Sequence, residues 1–386
     1  MSVESTTPEH AWKRLDGVDI LRGLAIFFVL MNHVNMRLWG AKIPYTKGLP
    51  HQLVSSLVWN GQFGVQIFFV VSGFLITSTT LRRWGSPSRV NVRDFYLLRF
   101  ARIAPLLLLL LAVLSGLHLA HINDFVVSQK TGGIGRALLA AVTFHINLLE
   151  ARRDYLPGNW DILWSLSIEE MFYLFFPLAC RLPGRGKLLV ALLTVFVLLG
   201  PFARSVAFNH NPVWREYSYL GGMDAIALGC LTALVLSRAH LSLPALRILG
   251  TIGSAIVAFI LCFSIQAYKW GLGRNGLDMT ILAIGTCMVI AFAAQTQWKS
   301  PRLLTPLLRI GQRSYEVYLT HMFVVFAMFG VFTKLGSPIR AVPVLFAIVI
   351  LLAGIVGEIV ARLYSDPMNR FLRRRSKDTV VRSSVA

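Results

Sequence analysis

Charged residues are scarce in this sequence, and acidic ones are scarcer than basic ones. Only 15% of the 386 residues are charged, with 18 Asp and Glu against 38 Lys and Arg, while 55% are hydrophobic. This balance excludes an ordinary soluble globule and indicates a polytopic membrane protein. The net charge of +20 does not indicate a nucleic-acid partner, because the Lys and Arg cluster in short loops between apolar runs, as membrane topology favours.

Cysteine is also rare, and the sequence contains no CxxC pair. The four cysteines lie within or at the ends of apolar segments, so we expect neither a disulfide framework nor a zinc or other metal site. The first apolar run is too long for a signal-peptide core and is not followed by an A-x-A cleavage pattern, so we expect it to remain as a signal anchor. The cysteines are Cys180, Cys230, Cys262 and Cys287.

Long apolar runs dominate the rest of the chain, and ten are long enough to cross a bilayer, which takes about 17–25 residues. An eleventh candidate, residues 134–149, is short and contains His145 and Asn147, which favours a re-entrant or interfacial helix. The predicted fold is all-α, a polytopic membrane bundle of about ten transmembrane helices plus this short helix. The ten runs are 20–38, 62–81, 96–120, 164–180, 188–203, 218–236, 248–267, 278–295, 314–333 and 342–363.

The distribution of basic residues predicts the topology. Ten spans with a cytoplasmic N-terminus place the RLPGRGK loop and the FLRRRSK tail in the cytoplasm, whereas eleven spans would place both outside, against the positive-inside rule. We therefore expect a multi-pass protein of the cell membrane, in bacteria the inner membrane, with both termini cytoplasmic. Its expected parts are an N-terminal tail at 1–19, a membrane domain at 20–364 and a basic C-terminal tail at 365–386.

Two ionisable residues, Arg22 and His33, lie in the first span. Their spacing of eleven residues puts them on one helix face, separated by about 16 Å along the axis. Ionisable residues inside a span indicate a functional site by default. The alternatives are a snorkelling topology anchor for Arg22 and a packing histidine, bonded to a neighbouring helix, for His33.

The fourth span carries two adjacent carboxylates, Glu169 and Glu170, in its first turns. Counting the helical rise from the external surface places Glu169 at about the depth of His33, which predicts that the two lie close together. Burying such carboxylates is costly unless they are paired, protonated or exposed to a cavity. The alternative is a helix N-terminus, because Ser167 and Glu170 fit the S-x-x-E capping box.

Other polar residues extend this pattern. Arg99 and Arg102 share one face at the cytoplasmic mouth of the third span, where with Arg22 they would suit phosphates; positive-inside anchoring is the alternative. In the ninth span, Tyr318 and His321 lie on one helical stripe, and a second buried histidine favours a polar cavity.

Five segments, taken in order, resemble the membrane acyltransferase 3 family, whose members O-acylate carbohydrates and related acceptors. They are the R-x10-H pattern from Arg22 to His33, FFVVSGF at 68–74, RFARIAP at 99–105, WSLSIEEMFY at 164–173 and SYEVYLTH at 314–321. The chain departs from the family at Leu98, where a second arginine is common, at Met171, where Gln is common, and at Asp366, where Glu is usual. We expect no esterase-like domain of the kind that some members carry, and so expect acceptor handling within the membrane domain.

The resemblance implies transfer of an acyl group, with acetyl expected, from cytoplasmic acyl-CoA to a hydroxyl of a sugar, cell-surface polysaccharide or glycoconjugate. Acyl-CoA is expected as a donor substrate, and no permanently bound cofactor is expected. Arg22, Arg99 and Arg102 are expected to hold the CoA phosphates, and His33 to act as general base or covalent carrier, oriented by Glu169. The expected tunnel residues are Ser72, Glu170, Tyr173, Tyr318 and His321.

Two alternatives to this function remain at the level of sequence. One is acylation of a secreted small metabolite such as a macrolide. The other is transport of an anionic or sugar substrate, since intramembrane Arg, His and Glu also form ion and proton pathways. Transporters of that kind usually carry internal repeats with paired broken helices, and no such repeat is evident in this sequence.

Overall fold

A computed structural model of the protein describes residues 14–184 and 186–373, which form a bundle of helices with no strand in those two ranges. Ten segments are long and apolar enough to cross a membrane, so the predicted all-α polytopic fold is confirmed. The helices are α1 (Asp16–Gly40), α2 (His51–Val58), α3 (Gly61–Trp84), α4 (Val92–Leu119), α5 (Gly133–Val142), α6 (Ile146–Arg152), α7 (Gly158–Asp161), α8 (Leu163–Cys180), α9 (Lys187–Arg204), α10 (Pro212–Tyr217), α11 (Tyr219–Leu236), α12 (Leu243–Cys262), α13 (Ser264–Lys269), α14 (Leu277–Thr296), α15 (Thr305–Gln312), α16 (Ser314–Lys334) and α17 (Val342–Val360).

Several crossings are built from two consecutive helices. The pairs α2 with α3, α7 with α8, and α10 with α11 each form one crossing, and α17 continues through a π-helical stretch, Ala361–Ser365, to Arg373. The eleventh candidate segment forms two short helices, α5 and α6, separated near Phe144, whose φ is 56°. Neither is long enough to span, as expected. Most of the two predicted tails, residues 1–13 and 374–386, lies outside the described residues.

The two ends of the bundle differ in what they contain. Because the ten crossings alternate in direction, the first and last described helices begin and end on the same side, and Arg22 and Arg373 accordingly line one cavity. We call this side the arginine end. The opposite side, called the distal end, carries the short helices α5, α6, α7, α10 and α13.

Helix α1 crosses α15 at very short range, and this crossing sets where α16 begins. A Cβ atom at Gly23 would overlap the carbonyl oxygen of Leu307, so only glycine allows this approach. After α15 the chain turns at Arg313, whose guanidinium pairs with Glu358 at 2.8 Å and Asp366 at 2.9 Å. The next helix therefore starts at Ser314 inside the bundle, where this residue is 2% exposed.

A buried ion pair fixes the helices behind the cavity. Arg204 on α9 binds both carboxylate oxygens of Asp224 on α11, with Nη2 2.8 Å from Oδ2, and also donates to Thr280 on α14. Gln66 on α3 donates to the same aspartate at 3.2 Å. Buried charges are tolerated when paired and hydrogen-bonded in this way. Four helices are thus held in register, and α3 is fixed against one wall of the site.

Candidate active site

A cavity of about 460 Å³ extends into the bundle from the arginine end. Its volume is in the range of small-molecule sites, roughly 300–1,000 Å³. Helices α1, α3, α4, α8 and α16 all contribute to its wall. The polar residues in its lining include Arg22, Ser72, Arg82, Arg83, Arg99, Arg102, Ser165, Glu169, Tyr173, Tyr318 and Arg373.

The mouth of the cavity carries a cluster of arginines, including the three singled out from the sequence. Arg22 pairs with Asp19 at 3.2 Å and is only 12% exposed, so it is not a snorkelling anchor. Arg102 is exposed and forms no ion pair within residues 14–184 or 186–373. Arg82, Arg83 and Arg373 line the same mouth and were not predicted. Such a concentration of guanidinium groups suits a multiply charged anion, above all phosphate.

Arg99 differs from Arg102 because its guanidinium is held by the protein. Its Nη2 is 3.1 Å from Glu170 Oε1, and its Cζ lies 3.7 Å from the centroid of the Tyr173 ring. Glu170 is 9% exposed and lies behind Arg99, outside the cavity lining, although the sequence placed it in the tunnel. The capping alternative for Glu170 is wrong, because its helix begins at Leu163 and the Ser167 hydroxyl donates to the Leu163 carbonyl.

Glu169 accepts hydrogen bonds from two hydroxyls in the middle of the cavity wall. Tyr173 donates to its Oε1 at 2.7 Å, and Ser72 on α3 donates to the same oxygen. Ser72 also shares a hydrogen bond with Tyr173. Three of the predicted site residues therefore form one connected group on α3 and α8. The expected contact between Glu169 and His33 is not formed, since both side chains bond elsewhere.

His33 pairs with the second intramembrane histidine, His321. The distance from His33 Nδ1 to His321 Nε2 is 3.1 Å, and the ring centroids are 4.9 Å apart. His33 Nδ1 also lies 2.9 Å from the Val29 carbonyl, and His321 Nδ1 lies 2.6 Å from the Tyr318 carbonyl. The histidine pair thus joins α1 to α16 through a direct imidazole contact.

The carbonyl groups that contact the two imidazole rings determine which ring nitrogens carry protons. Because a carbonyl can only accept, the proton of His321 is on Nδ1, and its Nε2 has a lone pair. His33 must then carry its proton on Nδ1, shared between His321 Nε2 and Val29. His33 Nε2 is left with a lone pair and forms no hydrogen bond within the described part of the chain. A half-buried imidazole with a free lone pair can act as a base or a nucleophile.

Tyr318 is the residue that connects the cavity to the histidine pair. It lines the cavity, its hydroxyl lies 2.6 Å from Ser165 Oγ and donates to the Ile162 carbonyl at 2.9 Å, and its ring centroid is 5.7 Å from that of His321. His33 and His321 are not part of the cavity lining. The single column from Arg22 to His33 expected from the sequence is therefore interrupted at the Tyr318 ring.

Comparison of the sequence with known proteins identifies the family to which this chain belongs. The ten-span bundle, with an intramembrane polar cavity and a buried histidine pair, defines an integral membrane protein with a functional site inside the membrane domain. A sequence profile described as "Acyltransferase domain" matches residues 15–362. The chain belongs to the acyltransferase 3 family, as the five sequence segments predicted. No solved structure is a significant match.

Several curated relatives are named as O-acetyltransferases. O-acetyltransferase OatA of Staphylococcus aureus (strain NCTC 8325) is 25% identical over 371 residues, which cover 92% of this chain and 57% of the relative. Peptidoglycan O-acetyltransferase OatA of Listeria monocytogenes (serovar 1/2a, strain EGD-e) is 27% identical over 344 residues, covering 82% of this chain and 50% of the relative. The chain spans about half the length of the curated relatives it matches.

Proposed function

We propose that the protein is a membrane O-acyltransferase that moves an acetyl group from acetyl-CoA to a hydroxyl of a sugar, polysaccharide or glycoconjugate. The observation that carries the proposal is the order of groups along the bundle. Phosphate-binding chemistry lies at the arginine end, and an imidazole lone pair lies just beyond Tyr318. Names of relatives, including one peptidoglycan O-acetyltransferase, support a glycan acceptor.

At the arginine end, the CoA phosphates are bound by Arg22 and Arg102, with further charge from Arg82 and Arg83. Arg99 contributes positive charge while its position is fixed by Glu170. Guanidinium groups form charge-assisted, often bidentate hydrogen bonds with phosphate oxygens, so several arginines suit a donor with several phosphates. The thioester arm then extends along Ser72, Glu169 and Tyr173 toward Tyr318.

The chemical step uses the lone pair on His33 Nε2. As a base, it takes the proton of the acceptor hydroxyl while the oxygen attacks the thioester carbonyl, and the CoA thiolate leaves and is then protonated. As a carrier, it attacks the thioester itself, releasing the thiolate; the acceptor hydroxyl then takes the acetyl group, and its proton passes to the freed His33 Nε2 and from there to the thiolate. In both routes His33 gains positive charge, which the hydrogen bond from its Nδ1 to His321 stabilises. His321 therefore acts as a positioning residue.

We further propose that the arginine end faces the cytoplasm, because that side supplies acyl-CoA. The positive-inside rule supports this orientation, since loops rich in Lys and Arg remain cytoplasmic. Both termini are then cytoplasmic, and the expected location is the bacterial inner membrane.

The function is tested with the purified protein, radiolabelled acetyl-CoA and fractionated lysate, measuring CoA release and label in the acceptor. We expect His33→Ala to lower transfer by about 100-fold or more, the usual scale of base catalysis, and His321→Phe to lower kcat with little change in the KM for acetyl-CoA. His51→Ala, at an exposed histidine on α2, is the control and should match the wild type.

Two outcomes contradict the proposal. Transfer that persists in a folded His33→Ala protein would remove this mechanism. Accumulation of a substrate in sealed vesicles without acetyl-CoA, together with no release of CoA, would favour transport.

A further inference from the structure

The cavity that opens at the arginine end reaches its inner end at one face of α3. The partly exposed lining residues of this helix recur at helical spacing, as Thr79, Leu75, Ser72 and Phe68, so they form a single stripe along the cavity. Phe68 is the innermost residue of the stripe and lies one turn, about 6 Å, beyond Ser72. Val65, which is 6% exposed, forms the floor below it.

The opposite wall ends at the same level. On α8 the lining runs from Tyr173 through Glu169 to Ser165, which lies one turn beyond Glu169. The Ser165 hydroxyl is 2.6 Å from that of Tyr318 on α16, another residue of the lining. The inner end is therefore about one helical turn deep beyond the hydrogen bond between Ser72 and Glu169.

This inner end is apolar apart from one pair of hydroxyls. The hydroxyls of Ser165 and Tyr318 contact each other, and both donate to the Ile162 carbonyl, so the protein itself satisfies them. An apolar pocket that follows polar groups suits a ligand with a polar carbonyl and a hydrocarbon end, as an acyl thioester has. The other side chains of the inner end are Val65, Phe68, Phe69 and Leu166.

Phe69 is a rigid part of this wall. A Cβ atom at Gly222 would lie 2.6 Å from Phe69 Cε2, so the ring packs directly against the backbone of α11. Trp164 meets the same ring edge to face, with centroids 6.3 Å apart and an angle of 88° between the planes. Phe69 is 3% exposed and is enclosed by these neighbours, so the pocket cannot widen on this side.

Phe68 differs from Phe69 because its ring is partly exposed to the cavity. It meets the Tyr318 ring at a centroid distance of 6.2 Å and an angle of 70°. The two hydrogen bonds of the Tyr318 hydroxyl hold that ring in place. Phe68 thus closes the inner end against a fixed partner, and the space left for a ligand depends on the size of residue 68.

A second apolar cavity does not extend this space. It has a volume of about 400 Å³ and lies between α8, α9 and α11, where Phe172, Phe175 and Leu192 contribute to its wall. Among the described residues, none lines both cavities. A hydrocarbon chain that enters from the arginine end is therefore confined to the space in front of Phe68 and Tyr318.

We propose that this inner end is an acyl pocket that selects short acyl groups by size, with Phe68 as the residue that sets the limit. An acetyl group fits within one helical turn, whereas a longer chain meets the rings of Phe68 and Tyr318. This inference rests on the proposed function, because it names which acyl-CoA the same site accepts.

The test compares donors of different length on the same protein. Purified full-length protein in detergent, with an acceptor fraction, is assayed for CoA release from acetyl-CoA, butyryl-CoA and hexanoyl-CoA. We expect the wild type to prefer acetyl-CoA to hexanoyl-CoA in kcat/KM by about 10-fold or more, since a single methylene in an apolar pocket can change this ratio by that factor. Phe68→Ala should lower the preference by about 10-fold or more, and Phe68→Leu should be intermediate.

The ratio between two donors is independent of the amount of folded protein, so a partly unstable variant remains informative. Two further variants are matched controls on α3. Phe63→Ala removes a buried ring that is not in the cavity lining, and Leu75→Ala shortens a lining residue about two turns nearer the mouth. Both should keep the wild-type ratio of kcat/KM between acetyl-CoA and hexanoyl-CoA.

Binding measured without an acceptor separates this inference from the proposed function. Isothermal titration with the same three donors should show the same dependence on residue 68. Unchanged ratios in Phe68→Ala and Phe68→Leu, or equal use of all three donors by the wild type, would overturn the acyl pocket while acetyl transfer stands. Absence of CoA release in the wild type, with a donor preference in binding that still depends on Phe68, would instead overturn the transfer and leave the pocket in place.

Discussion

Arg99 and Arg102 are equivalent in the sequence but not in their surroundings. Both lie on one face of α4 and both line the cavity, yet among the described residues only Arg99 forms an ion pair, with Glu170. Removing one member of a buried pair leaves the other charge uncompensated, which costs about 3–5 kcal/mol. Arg102 forms no ion pair in the part of the chain that the structure describes, so its charge remains available for a ligand.

We therefore predict different effects for the two alanine variants. Arg102→Ala should weaken acetyl-CoA binding by about 10-fold, the value of one charge-assisted hydrogen bond, without changing the Tm. Arg99→Ala should lower the Tm and the yield of folded protein, and Glu170→Gln in the same chain should recover part of that loss. Isothermal titration and thermal unfolding in detergent measure both effects. Equal decreases of Tm in Arg99→Ala and Arg102→Ala would contradict this assignment.

Glu150 gives a second prediction, on pH. Its ordinary pKa is 4.5, and burial beside Asp161 raises the pKa in the folded state. As pH rises above about 4.5, the unfolded chain loses this proton while the folded protein keeps it, so this group makes the protein less stable with increasing pH. Glu150→Gln removes that dependence. The Tm of Glu150→Gln should therefore exceed that of the wild type by an amount that grows between pH 5 and pH 8.

Differential scanning fluorimetry in detergent across that pH range measures the difference. Asp154→Asn, at an exposed carboxylate in the loop that follows α6, is the control and should show the same Tm as the wild type. A constant offset between Glu150→Gln and the wild type would show that Glu150 does not retain its proton on folding.

At the scale of the element, glycines allow the helices around the cavity to approach one another. A Cβ atom at Gly73 on α3 would overlap the carbonyl oxygen of Ile226 on α11, and one at Gly229 would overlap the carbonyl oxygen of Val70. Small residues at such crossings are typical of membrane helix packing. The sequence motif SGF at 72–74 therefore serves two purposes, since Ser72 faces Glu169 while Gly73 sets the distance between α3 and α11.

Gly73→Ala should consequently destabilise the protein by about 1–3 kcal/mol, the usual cost of overpacking. Gly116→Ala is a matched control, because this glycine is also within a transmembrane helix and a Cβ atom there meets no atom of the described residues within 4 Å. That change should be neutral or slightly stabilising, since glycine disfavours helices by roughly 0.5–1 kcal/mol. Thermal unfolding compares the two, and equal Tm values would contradict the packing role.

The relative depth of residues was harder to predict than the helices themselves. Counting the rise from helix ends placed Glu169 level with His33, on the assumption that each helix begins at a membrane surface. In the structure the crossing that contains α8 begins at Gly158 and α1 continues to Gly40, so Glu169 lies eleven residues from the distal end of its crossing whereas His33 lies seven residues from the end of α1. The hydrogen bond between Ser165 on α8 and Tyr318 on α16 places these two residues at the same depth. Glu169 lies one helical turn from Ser165 toward the arginine end, and His321 lies one turn from Tyr318 toward the distal end. Glu169 and His321 therefore differ in depth by about 10 Å.

At the scale of the whole molecule, hydropathy alone predicted ten crossings because each apolar run is long enough to span and is separated from the next by charged or turn-forming residues. The pairing of His33 with His321 could not be predicted, since it depends on which helices are neighbours, and hydropathy contains no such information.

The orientation proposed for the molecule predicts a labelling pattern in intact cells. In a Cys262→Ser background, which removes the exposed native thiol, Ser88→Cys lies in the exposed loop at the arginine end and Ala207→Cys in an exposed loop at the distal end. A membrane-impermeant maleimide should label position 207 in intact spheroplasts, and position 88 only after permeabilisation. The reverse pattern would place the arginine end outside and remove the cytoplasmic donor.

The interruption of the cavity at Tyr318 has an electrical consequence. A polar cavity open at one end carries the potential of that side into the protein, so the membrane voltage falls mainly across the remaining wall. That wall contains Tyr318 and the histidine pair. Moving one elementary charge through the full voltage changes its energy by about 2.3 kcal/mol per 100 mV. A proton or a positively charged acyl-imidazole at His33 would therefore experience a large part of the membrane voltage, and the rate of transfer would depend on how well the membrane is energised.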